Sequence, residues 1–238
     1  MTMRVSPTPQ ARASRRTVRV WDLPTRLFHW TLVAAVLAAC ISAQSGAYLA
    51  QRLHFLSGYA VLALVGFRIA WGFAGSHYAR FAQFVRGPAA TLRYARALLA
   101  ARAGASPAGH NPLGALSVLG LLGLCGLQAA TGLFSGDDIA SEGPLARHVS
   151  NALVDRLTGL HDSGAKVLYA LVALHLLALA GYRWLKRDDL VTPMITGDKP
   201  IAEGQPEPPA AVDRPLWPRA ALLLGASLAL VWCLVNLT

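Results

Sequence analysis

Five stretches of the chain are almost unbroken runs of apolar residues, and polar punctuation separates them. They are Leu27–Ala43, Leu53–Gly75, Leu113–Phe134, Val167–Tyr182 and Ala220–Asn236, the fourth with a more polar helical lead-in from about Leu160. A helix that crosses a bilayer needs about 20 mostly apolar residues, with a floor near 17. The pattern predicts an all-α integral membrane protein, a four-helix bundle followed by a fifth C-terminal transmembrane helix. The expected division is a basic N-terminal tail over 1–19, a transmembrane domain over 20–185, a Pro-rich linker over 186–215, and the last span over 216–238. The tail through Arg19 is expected to be disordered, and the linker irregular.

Composition agrees with this reading. Of 238 residues, 54% are hydrophobic and 14% are charged. Ordinary soluble domains carry about 25% charged residues, so disorder and a disulfide scaffold are excluded. The net charge of +10 would suit nucleic acid or an anionic membrane surface, but its placement makes a nucleic-acid partner unnecessary. Arg4, Arg12, Arg15, Arg16, Arg19 and Arg26 precede or open span one, and Arg80, Arg86, Arg93, Arg96 and Arg102 follow span two. No acid lies between Asp22 and Asp137. The loop after span three is acidic instead, with Asp137, Asp138, Glu142 and Asp155 against Arg147 and Arg156. With Arg183, Lys186 and Arg187 after span four, five spans place every basic segment inside. The N-terminus is then cytoplasmic and the C-terminus lies on the far side. The ISA-Q run after Cys40 resembles a signal-peptide cleavage site. The 26-residue leader before the first apolar stretch, and His29 and Trp30 within that stretch, argue for a retained span.

Four of the seven histidines fall in or at the ends of spans: His29, His54, His161 and His175. An ionisable side chain inside a membrane is costly and marks a functional candidate. For any one of them, the ordinary alternative is an interhelical hydrogen bond worth under ~1 kcal/mol. Their joint placement says more. His161 and His175 lie fourteen residues apart, hence within about 40° of one helix face and ~21 Å apart along it. His54 opens span two from the outside, level with His161, and His29 enters span one from the inside, level with His175. Zinc wants four ligands together, which neither depth supplies. No CxxCH is present for covalent haem, and the only methionines are Met1, Met3 and Met194. Two non-covalent b-type haems stacked across the bilayer fit, with His29/His175 and His54/His161 as axial pairs.

The motif VWDLPTRLFHW, the LHFLSGY opening of span two, the FRIAWG run that closes it, and LTGLHD with His175 resemble the bacterial cytochrome b561 family. That family includes the membrane cytochrome subunits of nickel-iron hydrogenases and formate dehydrogenase. The resemblance covers Val18 to Tyr182, four of the five spans. It implies a respiratory-chain cytochrome of the bacterial inner membrane with two haems b, whose ligands fall in spans one, two and four. It also implies electron transfer between the quinone pool and a c-type cytochrome, dehydrogenase or hydrogenase subunit. Any enzymatic activity would be that of a quinol-linked oxidoreductase. Some dehydrogenase-linked members bind a quinone near the start of span three, where Asn111 matches loosely; a helix-capping Asn explains the same residue.

Arg68, fourteen residues after His54, suits a haem propionate or snorkels to the surface. Trp21, Trp30, Trp71 and Trp184 read first as interfacial belt residues, and His77 and His148 as solvated surface histidines. Cys40, Cys125 and Cys233 read as small apolar residues. The acidic loop after span three could dock a basic redox partner or be plainly solvated. Two rivals stand against the haem reading. One is a non-haem structural membrane anchor of a larger complex. The other is a metal or proton transporter, for which intramembrane carboxylates are lacking.

Overall fold

The computed structural model describes residues 16–100, 107–136, 142–201 and 216–236. Asp137, Asp138 and the second half of the linker lie outside the described residues. Among the described residues, five helices are long and apolar enough to cross a membrane: α1 Leu23–Ser42, α2 Tyr48–Ala74, α5 Pro112–Gly132, α6 Asn151–Leu185 and α8 Trp217–Asn236. Between α2 and α5 run a 3-10 turn at His77–Ala79, the short α3 Phe81–Phe84, and α4 Pro88–Leu99. After α6 come α7 Val191–Thr196 and the strand β2 Asp198–Pro200, which pairs antiparallel with β1 Thr17–Arg19.

Local chemistry sets the helix starts. Asp22 caps α1 by accepting from the Thr25 amide at 2.6 Å, with Pro24 in the first turn. Asn111 caps α5 in the same way, its Oδ1 accepting from the Gly114 amide at 2.8 Å, with Pro112 following. Apolar content alone starts α1 at Leu27, whereas the Asp22 cap brings the start forward to Leu23. The lead-in to span four is also longer than expected. At 35 residues, α6 runs about 52 Å against a hydrocarbon core of about 30 Å. Its first turns, with Asp155 and Arg156, therefore extend beyond the apolar segment.

The helices pack in a chain. α1 lies along α2, α2 along α5 and α8, and α5 along α6. The apolar core joins Phe28, Val61, Leu64, Phe67, Trp71, Leu122, Cys125 and Leu168. Gly66 lets α8 come close to α2: a Cβ there would meet Ser227 Oγ at 3.3 Å. Most of the leucines on these helices point outward, which suits lipid as the surrounding solvent.

Two expected irregular segments are ordered where they meet. Thr17–Arg19, assigned to the disordered tail, pairs with Asp198–Pro200, assigned to the linker. The pair is held by the Arg19–Asp198 salt bridge at 3.0 Å, and by the Val20 amide on the Gly197 carbonyl at 2.8 Å. Trp30 Nε1 donates to the Met194 carbonyl at 3.2 Å, tying α7 to α1. The partners lie about 180 residues apart, so no local pattern could have announced them. The tryptophans also divide. Trp184 is 78% exposed and suits a belt, but Trp71 is 0% exposed and Trp21 is buried. Trp71 Nε1 donates to Asp22 Oδ2 at 3.3 Å, which holds it inside.

Candidate functional site

α2 and α6 bring His54 and His161 together, with ring centroids 6.1 Å apart and planes near perpendicular. Each ring is anchored through its Nδ1 to the backbone of a different neighbouring helix. His54 Nδ1 lies 3.0 Å from the Ala39 carbonyl of α1, and His161 Nδ1 lies 3.0 Å from the Gln128 carbonyl of α5. A carbonyl only accepts, so both Nδ1 atoms carry the proton and both Nε2 lone pairs are left for a ligand. Metal-bound histidines use this device to fix tautomer and ring orientation. With a metal–nitrogen bond of about 2 Å, two imidazoles on opposite sides of one metal have centroids about 6 Å apart. The pair has that separation.

At the other end of the bundle, His29 of α1 lies within electrostatic reach of His175 of α6. Ser117 Oγ of α5 lies 3.3 Å from His175 Nδ1. His29 Nδ1 is buried with no hydrogen-bond partner among the described residues. A desolvated ring nitrogen without a partner is costly unless a further group engages it. The same end holds a second orphan. Arg68 is 3% exposed, so it does not snorkel to the surface. Its guanidinium lies over Phe81 at 5.1 Å and Phe84 at 5.9 Å, with Nη1 buried and unpartnered. A buried fork of donors of this kind suits an anionic group such as a carboxylate.

Asn111 has both ends of its amide engaged. Besides capping α5, its Nδ2 donates to the Tyr182 hydroxyl at 2.9 Å, which in turn meets the Tyr94 hydroxyl at 2.9 Å. Next to it His110 packs against Trp21 and Phe84, with centroids 4.6 Å and 4.9 Å away. Burial, then the charges of Arg68, His175 and His29, push the His110 pKa down. His77, expected to be a solvated surface residue, is half-buried. Together with His110, Tyr78, Gln83 and Arg86 it lines a cavity of about 410 Å³.

The residues that sequence reasoning missed lie on α5. The hydroxyl and amide side chains of this helix are Ser117, Gln128 and Thr131, and all three contact a histidine of α6. Ser117 and Gln128 are eleven residues apart, three helical turns, and so share one face. That spacing was the available signal. Gly132 completes the stripe, since a Cβ there would come within 3.0 Å of the His161 ring.

Among the described residues no three His, Cys, Asp or Glu side chains gather into a metal-binding group. The bundle brings the imidazoles of His54 and His161 together as a pair, and their donor chemistry fits haem. The profile of the prokaryotic cytochrome b561 family matches residues 20–197. The chain belongs to that family. No curated protein and no solved structure matches it closely enough to be compared. This b561 cytochrome is a multi-pass membrane protein of electron transport that binds haem b. The match takes in α1 through α7 and ends before α8.

Proposed function

We propose that the cytochrome holds two b-type haems, one at each depth of the bundle, and passes electrons across the bilayer between the quinone pool and a redox partner protein. The observation that carries this reading is the His54–His161 pair, 6.1 Å apart with both Nδ1 protons given to backbone carbonyls. His29 and His175 form the second pair, and Arg68 supplies donors for a propionate beside it. Haem iron, when bound, supplies a one-electron couple whose potential is set by its ligands, their hydrogen bonds and nearby charge. The residues of the chain orient the ligands, exclude water from them and space them. His161 and His175 on one helix set the two depths ~21 Å apart along its axis.

The Arg distribution orients the N-terminus to the cytoplasm and the C-terminus to the periplasm of a bacterial inner membrane. A phosphatase domain fused after Thr238 is then active, whereas an inactive fusion reverses the topology. His29, His175 and Arg68 belong to the cytoplasmic half in this orientation. The cavity lined by His110 opens there and suits a quinone head group that exchanges protons with inner water, while Asn111 stands behind it with its amide engaged by Gly114 and Tyr182. Quinol-driven haem reduction that is unchanged in His110→Ala overturns that assignment. The partner protein meets the opposite, His54 face, where the acidic loop offers charge complementarity to a basic surface.

A pyridine haemochromogen assay with protein quantitation tests the whole reading. Two haems b per chain are expected. A value of one removes one of the two pairs, and none leaves a structural membrane anchor.

A further inference from the structure

Gln128 grips the same histidine twice. Its backbone carbonyl accepts the His161 Nδ1 proton at 3.0 Å, and its side-chain Nε2 donates to the His161 carbonyl at 2.7 Å. The amide reaches α6 through a notch at Gly164, one turn beyond His161. A Cβ on Gly164 would lie 2.3 Å from Gln128 Oε1, so no larger residue fits while the amide is in place. Thr131 Oγ1 stands 3.3 Å from the same Nδ1, and Gly132 lets α5 approach the ring face. An amide in an apolar span is expensive when unpaired, and here it spans the gap between two helices at the level of one imidazole.

We infer that Gln128 is a positioning residue for His161, its amide locked into the Gly164 notch so that α5 fixes the rotation and height of α6 at that ligand. The role rests on the haem reading above. Without the clasp, the α6 turn that carries His161 would shift locally and swing the ring off the Gln128 carbonyl. Proton donation from Nδ1 would then weaken, and with it the basicity of the ligating nitrogen. A less basic ligand stabilises ferric iron less, so the potential of that haem rises. The clasp has no counterpart at the other depth, where His175 Nδ1 meets only the Ser117 hydroxyl and His29 Nδ1 has no partner among the described residues. Its effect is therefore confined to one of the two haems.

The test uses the full chain, solubilised from membranes, as parent, Gln128→Met and Gly164→Ala. Methionine keeps the length of the side chain and removes the donor, while alanine fills the notch from the opposite helix. In both variants the haem that is lost in His161→Ala should show a shifted low-spin ferric signal and a raised midpoint potential. Its retention should weaken on the order of 10-fold, and the other haem should keep its signal and potential. Unchanged spectra in both variants, or equal shifts of both haems, would overturn the assignment. If Gly164→Ala fails to insert, Gln128→Met decides alone. A parent chain that binds no haem overturns the haem reading itself, which is a distinguishable failure.

Discussion

The four imidazoles are distinguished by what holds their Nδ1 atoms, and single substitutions should separate them. His54→Ala and His161→Ala are expected to abolish the same haem, and His29→Ala and His175→Ala the other, read as one haem b per chain with one redox step missing. Loss that crosses these pairs would mean that the depths are wrongly matched. Asp22 carries a different kind of burden, since it caps α1 and accepts from Trp71 and Ser76. Asp22→Ala removes a cap worth about 1 kcal/mol and strands buried donors at about 1–3 kcal/mol. Thermal unfolding in detergent should show the sum as a clear loss. His110 gives a pH dependence. Its pKa in the folded chain lies below the ordinary 6.5, chiefly through burial, so the folded form takes up its proton later than the unfolded one. Stability is complete above about pH 6.5 and falls as the pH drops below it. The loss of melting temperature between about pH 7 and 5 should be smaller in His110→Gln.

Among the helices, α5 and α6 show the division of labour most plainly. α6 supplies two histidines on one face, and α5 lays Ser117, Gln128 and Thr131 against them. The histidine face could be read from the fourteen-residue spacing. The α5 stripe was legible only in part: the eleven-residue spacing puts Ser117 and Gln128 on one face, but what that face meets is known only once the facing helix is. Long apolar runs likewise predicted the spans well in number and poorly in their ends, since caps and helix extensions beyond the membrane leave no hydropathy signal. The approach of α3 to α2 is steric. A Cβ on Gly72 would come within 2.0 Å of the Phe81 ring, which also covers Arg68. Gly72→Ala should therefore cost about 1–3 kcal/mol of stability and leave the guanidinium less covered. Detergent melting checks the first effect, and the haem potential nearest Arg68 the second.

Across the whole molecule, chain segments far apart in sequence close one end of the bundle. β1 and β2 pair over Val20 and Trp21, α7 binds α1, and Lys199 Nζ donates to the Pro107 carbonyl at 3.1 Å. α8 stands apart from this: it packs along α2 through Ser227 at Gly66 and Arg219 on the Ala74 carbonyl. Truncation after Ile201 is expected to leave haem content unchanged while lowering the melting temperature. Loss of haem in that variant would assign α8 a part in the site.

Composition and apolar periodicity alone were enough to determine a membrane protein of five spans, because the bilayer demands long apolar helices and records them directly in sequence. Intramembrane histidines were equally visible, since each is expensive enough to stand out. The proposed depth pairing rests on helical rise and charge topology. Which ring nitrogen is free, how Arg68 is buried, that Trp71 faces Asp22, and that Gln128 clasps Gly164 were decided only in three dimensions. Those properties depend on the rotation of one helix about its axis against another. Packing among residues distant in the chain sets that rotation, and periodicity within a single helix does not encode it.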